Sequence, residues 1–351
     1  MNGINYLLDV NARHSQEFKS PKTFLDRKLY REKHPLEISA LKCMDGRLHL
    51  PKITKTALGI IQPWRNVGGK FDLGWTGFKE SISGWVEYSI GRERSCLVIA
   101  TYHFSRGDKH RGCAGFNYDT DAARASALAL RNQFQRVFGN GNAVYPIMVG
   151  IETDLDALIL HGDDESRAPV DLAAVTDASE GNLQNILRDL YPAMPAQIMR
   201  DFIPLVSGNI ENVRETKAAN RPAADTLHKE WVLAVGRGFD WLHEANTAII
   251  VGPFDPELRL PIATAARLLL SNLNEGRIPK EDGVVLMSSA PYRELAGYDR
   301  PGAEEKAKWV AQFALKVITE ETPELLPYLK RLTATMDINT RELNVLERTD
   351  K

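Results

Sequence analysis

Ser95-Cys-Leu-Val-Ile-Ala-Thr-Tyr102 runs without a charge and is rich in β-branched side chains. A strand with one wet face alternates apolar and polar residues. A continuous apolar run belongs to a strand covered on both faces, as in a parallel sheet between helices. Its flanks agree. Residues 78–90 place Ile82, Trp85, Val86 and Ile90 at helical spacing. Asp119 and Thr120 can cap a helix to about residue 138, with Ala125, Leu128, Ala129 and Val137 expected inward and Gly139-Asn-Gly-Asn142 as its end. Residues 144–151 read as the next strand and 154–161 as its hairpin partner. This β–α–β rhythm predicts an α/β fold, a mainly parallel sheet flanked by helices.

Outward from this centre, residues 36–42 are a short strand delivering Cys43. Residues 57–62 are another, ended by Pro63 and followed by a turn at Gly68-Gly69. Residues 1–36 are polar and charge-rich, with a break at Ser20-Pro21 and one short helix around 23–32, and read as an N-terminal arm. Residues 163–169 form an acidic connector ending in Pro169. Residues 170–220 look helical but broken at Pro192, Pro195 and Pro204. A long helix is expected over 223–245, a strand over 247–252, and a helix over 260–275 with Pro261 in its first turn and Gly276 as cap. A strand at 283–287, a helix at 303–319 and an alternating strand or hairpin at 332–346 complete the chain. The second half thus repeats the rhythm of the first. The expected organisation is an arm (1–36), a first domain that holds all three cysteines (37–165) and a C-terminal pseudo-repeat that holds none (166–351).

The chain has 351 residues, 43% of them hydrophobic, enough for one large core or two modest ones. A net charge of −2 gives no global field for nucleic acid or anionic membrane. No apolar run is long enough to span a bilayer, and the opening residues lack a basic segment followed by a long apolar one. Three cysteines do not make a disulfide framework, so a reducing, cytoplasmic setting is expected, with thiolates free for metal.

Those thiolates come with company. Leu41-Lys-Cys-Met-Asp-Gly-Arg-Leu-His49 carries Cys43, Asp45 and Arg47 at alternate positions, which point to one side of an extended chain. Tyr102-His-Phe-Ser-Arg-Gly-Asp-Lys-His-Arg-Gly-Cys-Ala-Gly115 carries His103, His110 and Cys113. Two thiolates and one imidazole leave one of zinc's four positions open, the pattern of a catalytic site. Asp45 held by Arg47 beside a thiolate ligand reads as an orienting pair for water on the metal. Of the two histidines, His103 leaves a rigid strand at its carboxyl end, where ligands of open α/β sheets gather. His110 lies in a polar loop and is the alternative ligand, or a proton carrier if it is not one.

Cys-x-Asp-x-Arg, followed sixty to seventy residues later by a histidine and Cys-Ala-Gly, resembles the β-class carbonic anhydrases. Trp64-Arg-Asn-Val-Gly-Gly69 is similar to that family's Arg-Asn-x-Gly stretch. The common β-class pattern puts two residues between histidine and cysteine, which fits His110. The carboxysome-shell branch has the longer gap, which fits His103, and Cys-Met-Asp-Gly-Arg-Leu also looks like that branch. The resemblance implies a Zn²⁺ enzyme that hydrates CO₂ reversibly to bicarbonate by zinc-bound hydroxide, with Asp45 and Arg47 as the catalytic pair. It also implies a doubled domain whose second copy is silent, and either a place within a carboxysome-type microcompartment with a shell or Rubisco partner or a stand-alone role; a dimer of such doubled units is expected. The alternatives are a related zinc hydrolase acting on CS₂ or COS, or a zinc-binding scaffold without turnover. This branch carries a longer N-terminal region than the 42 residues before Cys43.

Other residues read as structure. Cys96 opens an apolar strand and packs there. His49, a weaker proton-shuttle candidate than His110, and His161 read as surface residues, His228 and His243 as helical ones. Trp64, Trp75, Phe78 and Trp85 belong to the core, and Arg65-Asn66 with the glycine pair is a weak anion-cradle signal.

Overall fold

The computed structural model describes residues 3–293 and 299–350. The chain opens with α1 (Gly3–Lys19) and α2 (Pro21–Lys33), then β1 (Leu36–Cys43), α3 (Leu50–Ile53), β2 (Ile61–Asn66), α4 (Thr76–Ile90), β3 (Ser95–Phe104), α5 (Thr120–Phe138), β4 (Val144–Glu152), β5 (Ala157–His161) and β6 (Val170–Asp171). It continues with α6 (Glu180–Leu190), α7 (Ala196–Ala218), β7 (Val232–Gly236), β8 (Ala248–Val251), α8 (Arg259–Asn274), β9 (Val284–Tyr292), α9 (Asp299–Glu321), β10 (Leu329–Asp337) and β11 (Leu343–Thr349).

Two compact units result. One contains residues 27–43 and 48–227; the other contains 1–26, 44–47 and 228–351. The first is built on a six-stranded sheet ordered β2-β1-β3-β4-β5-β6, the second on a five-stranded sheet ordered β8-β7-β9-β10-β11. In each, the first four strands run parallel and the next returns antiparallel. The first five strands correspond in order and direction, with β6 extra in the first sheet, which fits the duplication the sequence rhythm implies. Where β1 ends in Cys43, its counterpart β7 ends in Gly236.

β3 is the buried central strand its composition demands, with Cys96, Leu97 and Val98 fully buried. α5 begins with Asp119 accepting from the Ala122 N–H, as the sequence suggests. The face it buries is Ala123, Ala127, Leu130 and Phe134, a stripe at i, i+4, i+7 and i+11; Ala125 and Ala129 are exposed, and Val137 is 55% exposed. Phe134 decides the rotation, because its large ring enters the core beside Phe78.

Four other expectations are corrected. The opening 36 residues hold two helices rather than one short one. α1 buries Ile4, Leu7 and Val10 in a cluster with Val285, Met287 and Leu332, so three anchors suffice for an otherwise polar sequence. β2 runs through Pro63 to Asn66, because it is an edge strand and proline's missing N–H faces no neighbour. α7 passes through Pro204, flanked by the buried Ile203 and Leu205, whose packing offsets one lost helical bond. The helix expected over 223–245 is absent: Val232-Leu-Ala-Val-Gly236 is a strand buried along its whole length, and so short an apolar run carries no period of its own to separate strand from helix. Of the aromatics assigned to the core, Trp64 and Phe78 are fully enclosed, while Trp75 and Trp85 are half-buried.

Candidate metal centre

β1 and β3 are parallel neighbours, so their carboxyl ends open on the same side of the sheet. β1 delivers Cys43 there and β3 delivers His103. A loop and a short 3-10 turn (Lys109–Arg111) then bring the chain back to Cys113. The ligand-capable atoms of Cys43, His103 and Cys113 all lie within 4.8 Å of one another, and all three residues are buried. Cys43 Sγ and Cys113 Sγ are 3.9 Å apart, and both cysteines are free. Two sulfurs bound at about 2.3 Å to a tetrahedral zinc are roughly 3.8 Å apart, so the donor set fits that metal. His110 is elsewhere: it is exposed, its N–H donates to the Asp108 carboxylate, and its ring meets Tyr118 edge-on.

The backbone is shaped to allow this convergence. Gly69 has a φ of +67°, and a Cβ there would come within 3.2 Å of both Cys43 N and Thr101 O. The glycine pair therefore serves close backbone approach beneath Cys43, a use the sequence does not disclose. The loop leading to Cys113 is held by Asp154, which accepts from the Ser105 hydroxyl at 2.9 Å and the Gly107 N–H at 2.8 Å and pairs with Arg111 at 3.2 Å. Burial opposes its charge, but the Gly107 N–H, the Ser105 hydroxyl and Arg111 together hold the Asp154 carboxyl below its ordinary range. Burial pushes neighbouring Glu152 the other way.

Asp45 and Arg47 form the expected pair, with side chains 3% and 7% exposed. Arg47 Nε donates to Asp45 Oδ1 at 3.0 Å and Nη2 donates to Oδ2 at 2.6 Å. The Arg47 backbone N–H also reaches Oδ1, at 2.9 Å, closing an Asx turn. This is a two-pronged guanidinium–carboxylate contact on a fixed turn.

Two further residues join it that sequence reasoning misses. His228 Nε2 lies 2.9 Å from Arg47 Nη2, and His228 Nδ1 lies 3.0 Å from Glu230 Oε2. Burial works against charging His228, but Glu230, ahead of Asp45, outweighs it and raises the imidazole's pKa. Asp45, His228 and Glu230 would themselves offer donors to a cation, yet Arg47 already places a positive charge among them. On a helix, positions 228 and 230 face apart; in extended chain entering β7 they face together. A helical reading of this stretch therefore hides them.

The remaining histidines are also corrected. His49 is buried and caps α3, its Nδ1 accepting from the Lys52 N–H at 3.2 Å. His161 is buried on β5 against the Tyr102 hydroxyl at 2.9 Å, and His243 lies outside any helix. Cys96 is packing, as expected, its thiol pushed up to about 11 by burial.

The family model for the carboxysome shell carbonic anhydrase catalytic domain matches residues 29–185, a span that contains Cys43, His103 and Cys113. Over that span, somewhat under half of the chain, the sequence is similar to the carboxysome shell carbonic anhydrase catalytic domain. The carboxysome shell carbonic anhydrase of Prochlorococcus marinus (strain MIT 9313) is 25% identical over 302 residues, covering 76% of this chain and 55% of that protein. The one from Hydrogenovibrio crunogenus is 30% identical over 137 residues, 34% of this chain and 25% of that protein. The one from Halothiobacillus neapolitanus is 29% identical over 265 residues, 61% and 49%. The chain spans about half the length or less of these carboxysome-shell relatives.

Proposed function

We propose that this chain is a zinc-dependent carbonic anhydrase catalysing the reversible hydration of CO₂ to bicarbonate. The convergence of Cys43, His103 and Cys113, with sulfurs spaced as a tetrahedral metal requires, carries the reading. These three residues would hold the zinc, with His103 rather than His110 as the imidazole ligand. Zinc bound by three protein ligands lowers the pKa of a water to roughly 7, making a nucleophile available at neutral pH.

The rest falls to the chain's own side chains. Arg47 holds Asp45 on both oxygens, which orients the carboxylate to accept a hydrogen bond from the reacting water and aim its lone pair at carbon. CO₂ is apolar and needs little more than a small dry space. A proton must then reach solvent, and His110, exposed in a loop three residues before Cys113, can carry it. On this reading residues 37–165 are catalytic, 166–351 are the silent repeat and 1–36 the arm.

The relatives' name points to a carboxysome shell as the setting; a Rubisco partner and a homodimer in solution belong to the proposal alone. Among the described residues no helix is long and apolar enough to cross a membrane. The test is zinc content together with stopped-flow CO₂ hydration in reductant, at about pH 7.5 and pH 9. One zinc with fast hydration supports the enzyme. Zinc without hydration turns the assignment toward CS₂ or COS, or toward a scaffold, and no zinc ends it.

A further inference from the structure

Glu230 stands two residues before β7, with its side chain fully buried. A buried carboxylate is costly unless hydrogen-bonded, and a chain needing only to fill this space would do better with an apolar side chain. Both oxygens are engaged. Oε1 accepts the Gly46 N–H at 3.0 Å, and Oε2 lies 3.0 Å from His228 Nδ1. Gly46 is the residue between Asp45 and Arg47, and it admits nothing larger: a Cβ there would come within 2.5 Å of Ala248 O and 2.9 Å of Glu230 Cγ.

The direction of each bond in this chain is fixed by chemistry. Arginine has donors only, so His228 Nε2 must accept from Arg47 Nη2. The imidazole proton is then on Nδ1 and points to Glu230. We propose that Glu230 is the positioning residue for the Asp45–Arg47 pair, gripping the Asp45 turn directly through the Gly46 amide and Arg47 indirectly through His228. A leucine would fill the space, and a glutamine would satisfy one of the two donors; only a carboxylate accepts both. The inference rests on the hydration reading, because it assigns Glu230 to that reaction's orienting pair.

Two measurements test it. In wild-type protein with ¹⁵N-labelled histidine, the His228 resonances should report a protonated Nδ1 and an unprotonated Nε2 near pH 8; the reverse tautomer overturns the proposal. In Glu230→Gln, zinc content and melting temperature should hold while kcat for CO₂ hydration falls about tenfold or more with KM nearly unchanged. Glu230→Ala should fall further, and the Gly46 amide should exchange faster in both. Unchanged kcat, or zinc lost in step with kcat, overturns the proposal. If the variants do not fold, the wild-type tautomer decides. A zinc-loaded wild type without hydration overturns the hydration reading instead, and the tautomer still decides for or against Glu230.

Discussion

Cys43 Sγ and Cys113 Sγ face each other at 3.9 Å, far beyond a disulfide's length and close to the sulfur–sulfur edge of a zinc tetrahedron. Replacing either by alanine should remove zinc and CO₂ hydration together, as should His103→Ala. His110→Ala and Cys96→Ala should leave zinc at one per chain, since neither residue belongs to the donor cluster. Elemental analysis of the five variants checks this, and near-stoichiometric zinc in Cys43→Ala would reject the ligand set.

Asp45→Asn keeps the shape of the carboxylate but turns an amide toward the Arg47 donors. Zinc should stay bound while turnover falls roughly 10²-fold, the lower range for a lost proton-handling group. Stopped-flow hydration with metal analysis on the same sample separates the two effects.

Stability should fall in mild acid. His161 and His243 are both pushed down to about 4, chiefly by burial and then, for His161, by Arg124 and Arg131, and for His243 by His14. Unfolded, each titrates near 6.5. Between those values the unfolded chain binds up to two more protons than the folded one, so stability is full above about pH 6.5 and is lost as pH falls toward 4. Chemical denaturation across this range should show that slope, and His161→Gln should remove one proton's share.

Gly69→Ala should destabilise the protein by about 1–3 kcal/mol, because it combines a left-handed backbone with a Cβ pressed against Cys43 N and Thr101 O. Urea midpoints at constant slope measure the cost. Zinc affinity should weaken in the same variant, since the displaced backbone carries Cys43.

Much of this molecule is legible in advance because the signals are local. The β3 run, the Asp119 cap and the Cys43, His103 and Cys113 spacings each depend on neighbours in sequence. What escapes depends on distant packing. α1 is held by Ile4, Leu7 and Val10 against strands more than 270 residues away, so its own polarity conceals it. The face of α5 is set by where the Phe134 ring goes. His161 reads as a surface residue because its partner, Tyr102, is 59 residues distant. His228 and Glu230 are invisible for a different reason: an apolar pentad is ambiguous between helix and strand, and the helical choice turns the two side chains apart.

The turn bearing Asp45 has a further consequence, one of timing. Met44 O accepts from Ile250 N and Gly46 O accepts from Asn246 N, both at 2.9 Å, so the turn is completed by residues made long after it. Cys113, the last metal-ligand candidate, leaves the ribosome 137 residues before Ile250. At ordinary rates of synthesis that interval is roughly 7–27 s. A nascent chain therefore carries Cys43, His103 and Cys113 well before the segment that the Asp45 turn is hydrogen-bonded to, residues 246–250, has been made.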